Sequence, residues 1–329
     1  MRLNKQYLKD LGKVFMGSAS AFADDKAMKY SASLAYSTIF ALSPLLVLII
    51  SLASIFYGKE AIQGKLFSEI NQLVGSDAAQ QIQTLIEKSA LSGGSTFSLI
   101  VSIVVLLIGA TAIFTEIQDT LNIIWRVRPK PKKGYQKLLI NRVLSFSMII
   151  SLGFLLVVSL VINGLVAGLS DRLSRLFPEI TVILLQAFNI FLTFTIISVL
   201  FAIIFKFLPD VKISWKYVRV GAIATALLFM LGRVLIGFYL QVAGTGSTFG
   251  AAGSLIVILT WVYYTAAILY FGAEFTQVYA EKFGGSIQPA EYAVHLVQTE
   301  EEVHVKVLPK QNHCALDENS EEDCDDKSK

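Results

Sequence analysis

No histidine precedes residue 295 in this chain; His295, His304 and His313 all fall near its end. Its two cysteines, Cys314 and Cys324, lie in the same stretch. That distribution excludes a disulfide framework and leaves the body of the chain without imidazole or thiolate chemistry. A zinc site would have to be built in this stretch, where the spacing matches no zinc pattern and the flanks lack core-forming residues. No metal, cofactor or catalytic constellation is therefore expected. Charge is also scarce, at 16% of residues against about 25% in soluble domains. The formal net charge of +3 is too mild to indicate a nucleic-acid partner. With 54% of residues hydrophobic and a mean hydropathy of +0.61, the chain reads as a polytopic membrane protein.

What is present in abundance is long apolar runs. From Gly250 to Gly272 the chain carries no charge, and at ~1.5 Å per helical residue this run can cross a hydrocarbon core of ~30 Å. Comparable runs cover Leu34–Tyr57, Thr96–Phe114, Val143–Leu169, Ile180–Leu208 and Tyr217–Gln241. The expected fold is all-α, a bundle of six transmembrane helices with interfacial amphipathic helices. Pro44 in the first run frees backbone groups that neighbouring helices must satisfy. Residues 58–95 suggest two short amphipathic helices capping the far side. Small residues at Gly250–Ser254 and at Gly221, Ala222, Ala224 and Ala226 predict close packing of the fifth and sixth spans.

The polar segments set the orientation. Residues 1–29 carry Arg2, Lys5, Lys9, Lys13, Lys26 and Lys29, with apolar residues at helical spacing. This fits a helix on an anionic leaflet, in contact with membrane lipids, or a helix packed on the membrane domain. The first long apolar run starts beyond residue 30 without a cleavage-type ending, so a signal peptide is not expected. The basic loop from Arg126 to Lys137 and the pair Lys212 and Lys216 mark cytoplasmic loops, which puts both termini inside. After about Phe283 the chain turns polar and then acidic, as expected for a disordered cytoplasmic tail over residues 283–329.

Polar residues inside apolar runs are costly, at least ~2.5 kcal/mol for a charge in mid-bilayer, and so are the candidate functional positions. Arg233 lies ~12 Å below the outer end of the fifth span. Asn163, Gln186 and Asn189 fall at similar depth, giving a candidate polar layer with Arg233 bonded to one or more of these amides. Snorkelling of Arg233 to the headgroups is the competing reading. Near the cytoplasmic face, Glu116, Asp119 and Asn122 recur at three-residue spacing and Glu274 ends the sixth span. These four form either an acidic vestibule for a cation or proton, or acids paired with basic loops. Arg142, Lys29 and the basic loop are the nearest partners for Glu274.

Several separated stretches, namely ASLAYSTIFALSP over 32–44, residues 114–125, and TWVYYTAAILYFGAEF within 250–277, resemble the YihY/BrkB family of bacterial inner-membrane proteins. Phe207-Leu208-Pro209 followed by Trp215 and Gly221-Ala222 fits as well. Tyr36, Pro44, Trp125, Pro209, Gly250, Trp261 and Gly272 belong to these motifs. The resemblance implies six helices, cytoplasmic termini and the bacterial cytoplasmic membrane. It implies no established activity, and the older ribonuclease BN label finds no support in the residues. The chain departs from the pattern at Phe249, where Tyr is expected, and at Thr276, where Asn is expected. No inverted three-plus-three repeat is visible. A non-enzymatic protein that moves or holds a small or amphiphilic solute is the leading functional reading. A structural protein acting through partners is the alternative.

Overall fold

A computed structural model of the protein describes residues 5–40, 96–130, 178–243, 251–285 and 287–297. In chain order these form α1 (Lys5–Asp24), a second helical stretch α2 (27–40), α3 (Thr96–Ile124) and the short strand β1 (Val127–Pro129). Then follow α4 (Pro178–Phe207), β2 (Val211–Lys212), α5 (Trp215–Ala243), α6 (Ala251–Lys282), β3 (Gln288–Pro289) and β4 (Ala293–His295). Met1–Leu296 form one compact unit, and a second begins at Val297. Pro44, Asn163, Gly250, Arg142 and the run Val143–Leu169 lie outside the described residues, as does all but the start of the first span.

Among the described residues, three segments are long and apolar enough to cross a membrane: Ile190–Phe207, Trp215–Tyr239 and Ile256–Lys282. Apolar side chains are spread around all three, as expected of helices that face protein on one flank and lipid on the other. The lipid-type flank is plain on α5, where Leu231, Val234, Leu235 and Phe238 are all exposed. The helix α6 runs eight residues past the expected end at Glu274 because Phe275, Tyr279 and Ala280 continue the buried stripe beyond the apolar run.

The expected contact between the last two long helices is present and rests on reciprocal notches. A β-carbon placed on Gly221 of α5 would run into the Thr276 side chain, and one on Gly272 of α6 would run into Thr225. Each threonine donates its hydroxyl to the carbonyl of the glycine four residues before it, at 2.7 Å in both cases. The two Gly-x-x-x-Thr segments thus mesh antiparallel, with no hydroxyl left over. Further along, Gly232 gives way to the ring of Tyr264. The central core gathers Leu121, Trp125, Phe205, Leu208, Val218 and Tyr270.

The amino-terminal helix packs on the membrane helices. Val14 is buried with Phe275 and Tyr279, Phe15 and Phe22 touch Phe271, and Tyr7 meets Phe283. Of the two readings of residues 1–29, packing on the bundle holds for this buried stripe, while Met16 on another side is exposed.

The segment after α6 departs from the expected tail. It folds back as β3 and β4: β4 pairs antiparallel with β1, Val127 opposite His295, and β3 pairs with β2, Val211 opposite Pro289. Backbone bonds from Leu296 to Arg126 and from Ala290 to Asp210 extend this clip. The physical reason is backbone pairing, which composition does not report. Two loops whose N–H and C=O groups would otherwise need water find partners in residues 288–296.

Candidate functional site

The polar residues at this end of the bundle form two clusters of different character. The first is centred on Asp210, only 4% exposed, in the loop after α4. Gln118 and Asn122 lie one turn apart on α3 and so share a face. Gln118 Nε2 donates to Asp210 Oδ1 at 3.0 Å and Asn122 Nδ2 donates to Oδ2 at 2.8 Å. Asn122 Oδ1 accepts the Asp210 backbone N–H at 2.9 Å, and Tyr292 donates its hydroxyl to Asp210 Oδ1 at 2.9 Å. Burial, then the neighbouring Asp210 charge and their hydrogen bond, push the Tyr292 hydroxyl up to about 12. Such a saturated carboxylate fastens elements together and offers no ligand a place. On the surface nearby, Lys212 reaches Glu291 at 2.8 Å and holds that carboxyl below its ordinary range.

The second cluster is not saturated. Glu274 on α6 is 1% exposed, and its Oε1 has no hydrogen-bond partner among the described residues. Asp25 and Arg126 are its charged neighbours. Arg126 Nη2 donates to Asp25 Oδ1 at 2.6 Å, with the Asp25 side chain 6% exposed. Trp125 fixes the approach of α3 by donating its indole N–H to the Ala273 carbonyl at 3.2 Å. Both loop residues sit at tight helix ends: Lys26 and Arg126 have φ of 55° and 53°, the left-handed region that glycine favours. A non-glycine residue there costs about 1–3 kcal/mol. These turns bring Asp25 and Arg126 together.

Two more polar atoms on α6 lack partners among the described residues, the Tyr270 hydroxyl and Gln277 Oε1. With Glu274 they fall at i, i+4 and i+7, one stripe along a helix. Tyr270 is fully buried beside Thr120, whose own hydroxyl is donated to the Glu116 carbonyl at 2.9 Å. Each unsatisfied buried group costs about 1–3 kcal/mol. Three in register on one membrane-crossing helix is a concentration that calls for a cause.

The structure separates the four acidic-vestibule candidates. Asn122 joins the Asp210 cluster, Glu116 is half-buried near Tyr270, Asp119 is exposed, and Glu274 stands with Asp25. Three-residue spacing spreads 116, 119 and 122 over about 120° of helix, too wide for one site. From the basic loop, its first residue Arg126 pairs with Asp25. Arg233 is exposed on α5 among lipid-type side chains, while the side chains of Gln186 and Asn189 fall outside the described set, so the polar layer is neither formed nor broken by what is described. Of the motif residues, Trp125 and Pro209 are buried, Gly272 forms the notch for Thr225, Trp261 is half-buried and Tyr36 is 64% exposed. Among the described residues, no group of three or more His, Cys, Asp or Glu side chains could hold a metal ion.

Sequence reasoning passed over Asp25, Asp210, Tyr270 and Tyr292. A signal existed for Asp25, since Asp10, Asp24 and Asp25 are the sole acids before Glu60 in a basic segment. Tyr292 gave none.

A family model described as Virulence factor BrkB matches residues 18–294. Similar curated proteins include a UPF0761 membrane protein of Verminephrobacter eiseniae, 29% identical over 252 residues, covering 75% of this chain and 57% of that protein. One from Pseudomonas aeruginosa is 27% identical over 272 residues, covering 78% and 60%. One from Rhodospirillum centenum is 28% identical over 289 residues, covering 85% and 60%. The chain therefore spans roughly three-fifths of the length of the curated relatives it matches. No solved structure matches.

Proposed function

This chain belongs to the Virulence factor BrkB family, whose curated relatives are bacterial membrane proteins, and from that premise we propose that it moves a small or amphiphilic solute across the inner membrane without catalysing a reaction. The observation that carries this reading is the stripe of Tyr270, Glu274 and Gln277, with three buried polar atoms unpartnered among the described residues on a helix long and apolar enough to cross a membrane. Hydrocarbon gives such groups no water, so a stable stripe of them is suited to a guest that supplies the missing bonds.

The orientation has both termini on the cytoplasmic side, with six spans. Supporting this, β1 and β2 in the two basic loops pair with residues 288–295, which brings the carboxyl-terminal segment to the end of the bundle where lysine and arginine collect. The helix α1 lies against the same end of α6.

A structural, partner-dependent role is the second reading, favoured by the tight Gly-x-x-x-Thr mesh of α5 and α6. Cysteine accessibility separates the two. With Cys314 and Cys324 replaced, single cysteines at 233, 270, 274 and 277 are probed in intact cells and inverted vesicles with a membrane-impermeant thiol reagent. Labelling at 270, 274 or 277 is the expected result and establishes a water path into the stripe. If all three stay unlabelled from both sides, the solute-moving reading fails and the structural one stands.

A further inference from the structure

Where α4 hands over to α5, cations gather without anions. Lys206 Nζ, in the last turn of α4, stands 5.8 Å from the centroid of the exposed Trp215 ring, and the exposed Phe207 ring meets that ring edge-on at 6.0 Å. Arg219 Nε donates to the Trp215 carbonyl at 3.3 Å. Lys216 is three residues before Arg219 and shares its face of α5. Among the described residues, neither Lys216 nor Arg219 forms an ion pair. Asp210 is the sole acid between Glu179 and Glu274 in the sequence, and it is occupied by Gln118, Asn122 and Tyr292. Lys212 is the one nearby cation with a carboxylate among the described residues, Glu291.

Past Arg219 the same face of α5 turns apolar. Ile223, Leu227, Leu231 and Val234 follow at spacings of four and three residues, and all are exposed. Residues 223–234 cover about 16 Å of helix axis, close to half of a ~30 Å hydrocarbon core. One face thus offers charge and an amphipathic ring at one level and a leaflet's depth of apolar contact beside it. These are the two parts of a phospholipid, in their order.

We propose that Lys206, Lys216 and Arg219 bind the headgroup of an anionic phospholipid, with Trp215 beside its glycerol and one acyl chain along residues 223–234. Charge complementarity selects the class of lipid. The ammonium of a zwitterionic headgroup would meet three cations and no free carboxylate, whereas a headgroup with net negative charge neutralises them. A basic residue near an anionic membrane surface strengthens binding about fivefold. The site is independent of the solute-moving reading, since a lipid held at the seam of α4 and α5 occupies it whether or not a solute moves.

The test places the full-length chain in phosphatidylcholine vesicles and follows tryptophan fluorescence as brominated phosphatidylglycerol replaces part of the lipid. The bromines sit near the headgroup end of the acyl chains, and brominated phosphatidylcholine is the reference. Phosphatidylglycerol is expected to quench at a mole fraction about tenfold lower. Lys216→Gln combined with Arg219→Gln, both at exposed positions that folding tolerates, should cut that preference by about fivefold or more. Arg233→Gln, roughly 20 Å farther along α5, should keep it. Trp215→Phe should remove most of the quenching that phosphatidylglycerol causes. Equal quenching by the two lipids, an unchanged preference in the double variant, or undiminished quenching in Trp215→Phe overturns the proposal. Displacement of phosphatidylglycerol by an equal concentration of inorganic phosphate also overturns it, because the site would then take a free anion.

Discussion

Asp210 and Glu274 are both acidic, both nearly fully buried and both at the same end of the bundle, yet their surroundings give them opposite capacities. The first accepts from Gln118, Asn122 and Tyr292 and is complete; the second keeps an oxygen free. Replacing Tyr292 with Phe removes one donor to a carboxylate and should cost on the order of 1–2 kcal/mol in detergent-solubilised protein. The pH dependence has a definite sign. Because the Tyr292 hydroxyl is raised from about 10 to about 12, its contribution is fully present below pH about 10 and is lost as pH rises through about 12. Thermal unfolding of wild type and Tyr292→Phe should therefore differ near neutral pH and converge across that alkaline window; a constant offset would remove Tyr292 from the account. The partner choice of these side chains was not legible in the sequence. Asp210 drew no notice in the segment joining two apolar runs, and Asn122 read as one of an evenly spaced row with Glu116 and Asp119, because side-chain pairing across 88 residues leaves no local pattern.

At the level of elements the sequence was more informative, since long apolar runs need no tertiary knowledge to be seen. The helices α4 and α5 begin and end within two residues of the runs Ile180–Leu208 and Tyr217–Gln241. The small residues Gly221, Ala222 and Ala226 do mark the close approach of α5 to its neighbour. What spacing could not say is that threonine supplies the matching projection, Thr276 into Gly221 and Thr225 into Gly272. Gly221→Ala should destabilise by about 1–3 kcal/mol through overpacking. Adding Thr276→Gly should return part of that loss, a coupling above ~0.5 kcal/mol in a double-mutant cycle. Gly237→Ala is the control: a β-carbon there meets nothing within 4 Å, so stability should be unchanged or raised. Equal losses at 221 and 237 would refute the interlock. The Thr276 position, where an Asn was expected from the family pattern, is thus accounted for by packing in this chain.

On the scale of the whole molecule, the polar composition after Phe283 concealed a structural segment. Residues 288–296 hold β1, β2 and Asp210, so two truncations should behave differently. Ending the chain after Leu296 removes only what lies beyond the compact unit and should leave the melting temperature in detergent unchanged. Ending it after Phe283 strips both strand pairs and the Tyr292 bond, and should lower it by several degrees, as expected for a loss of a few kcal/mol. Indistinguishable melting of the two would mean that the clip contributes nothing.

The clip has a further consequence for how the protein is made. Its pairings join Val127 to His295 and Val211 to Pro289, so the loops after α3 and α4 leave the ribosome long before their partners do. Until residue 292 is translated, Asp210 lacks the hydroxyl that Tyr292 donates to it. A nascent chain stalled before the clip is consequently distinguishable from one that carries it by its unpaired loops alone.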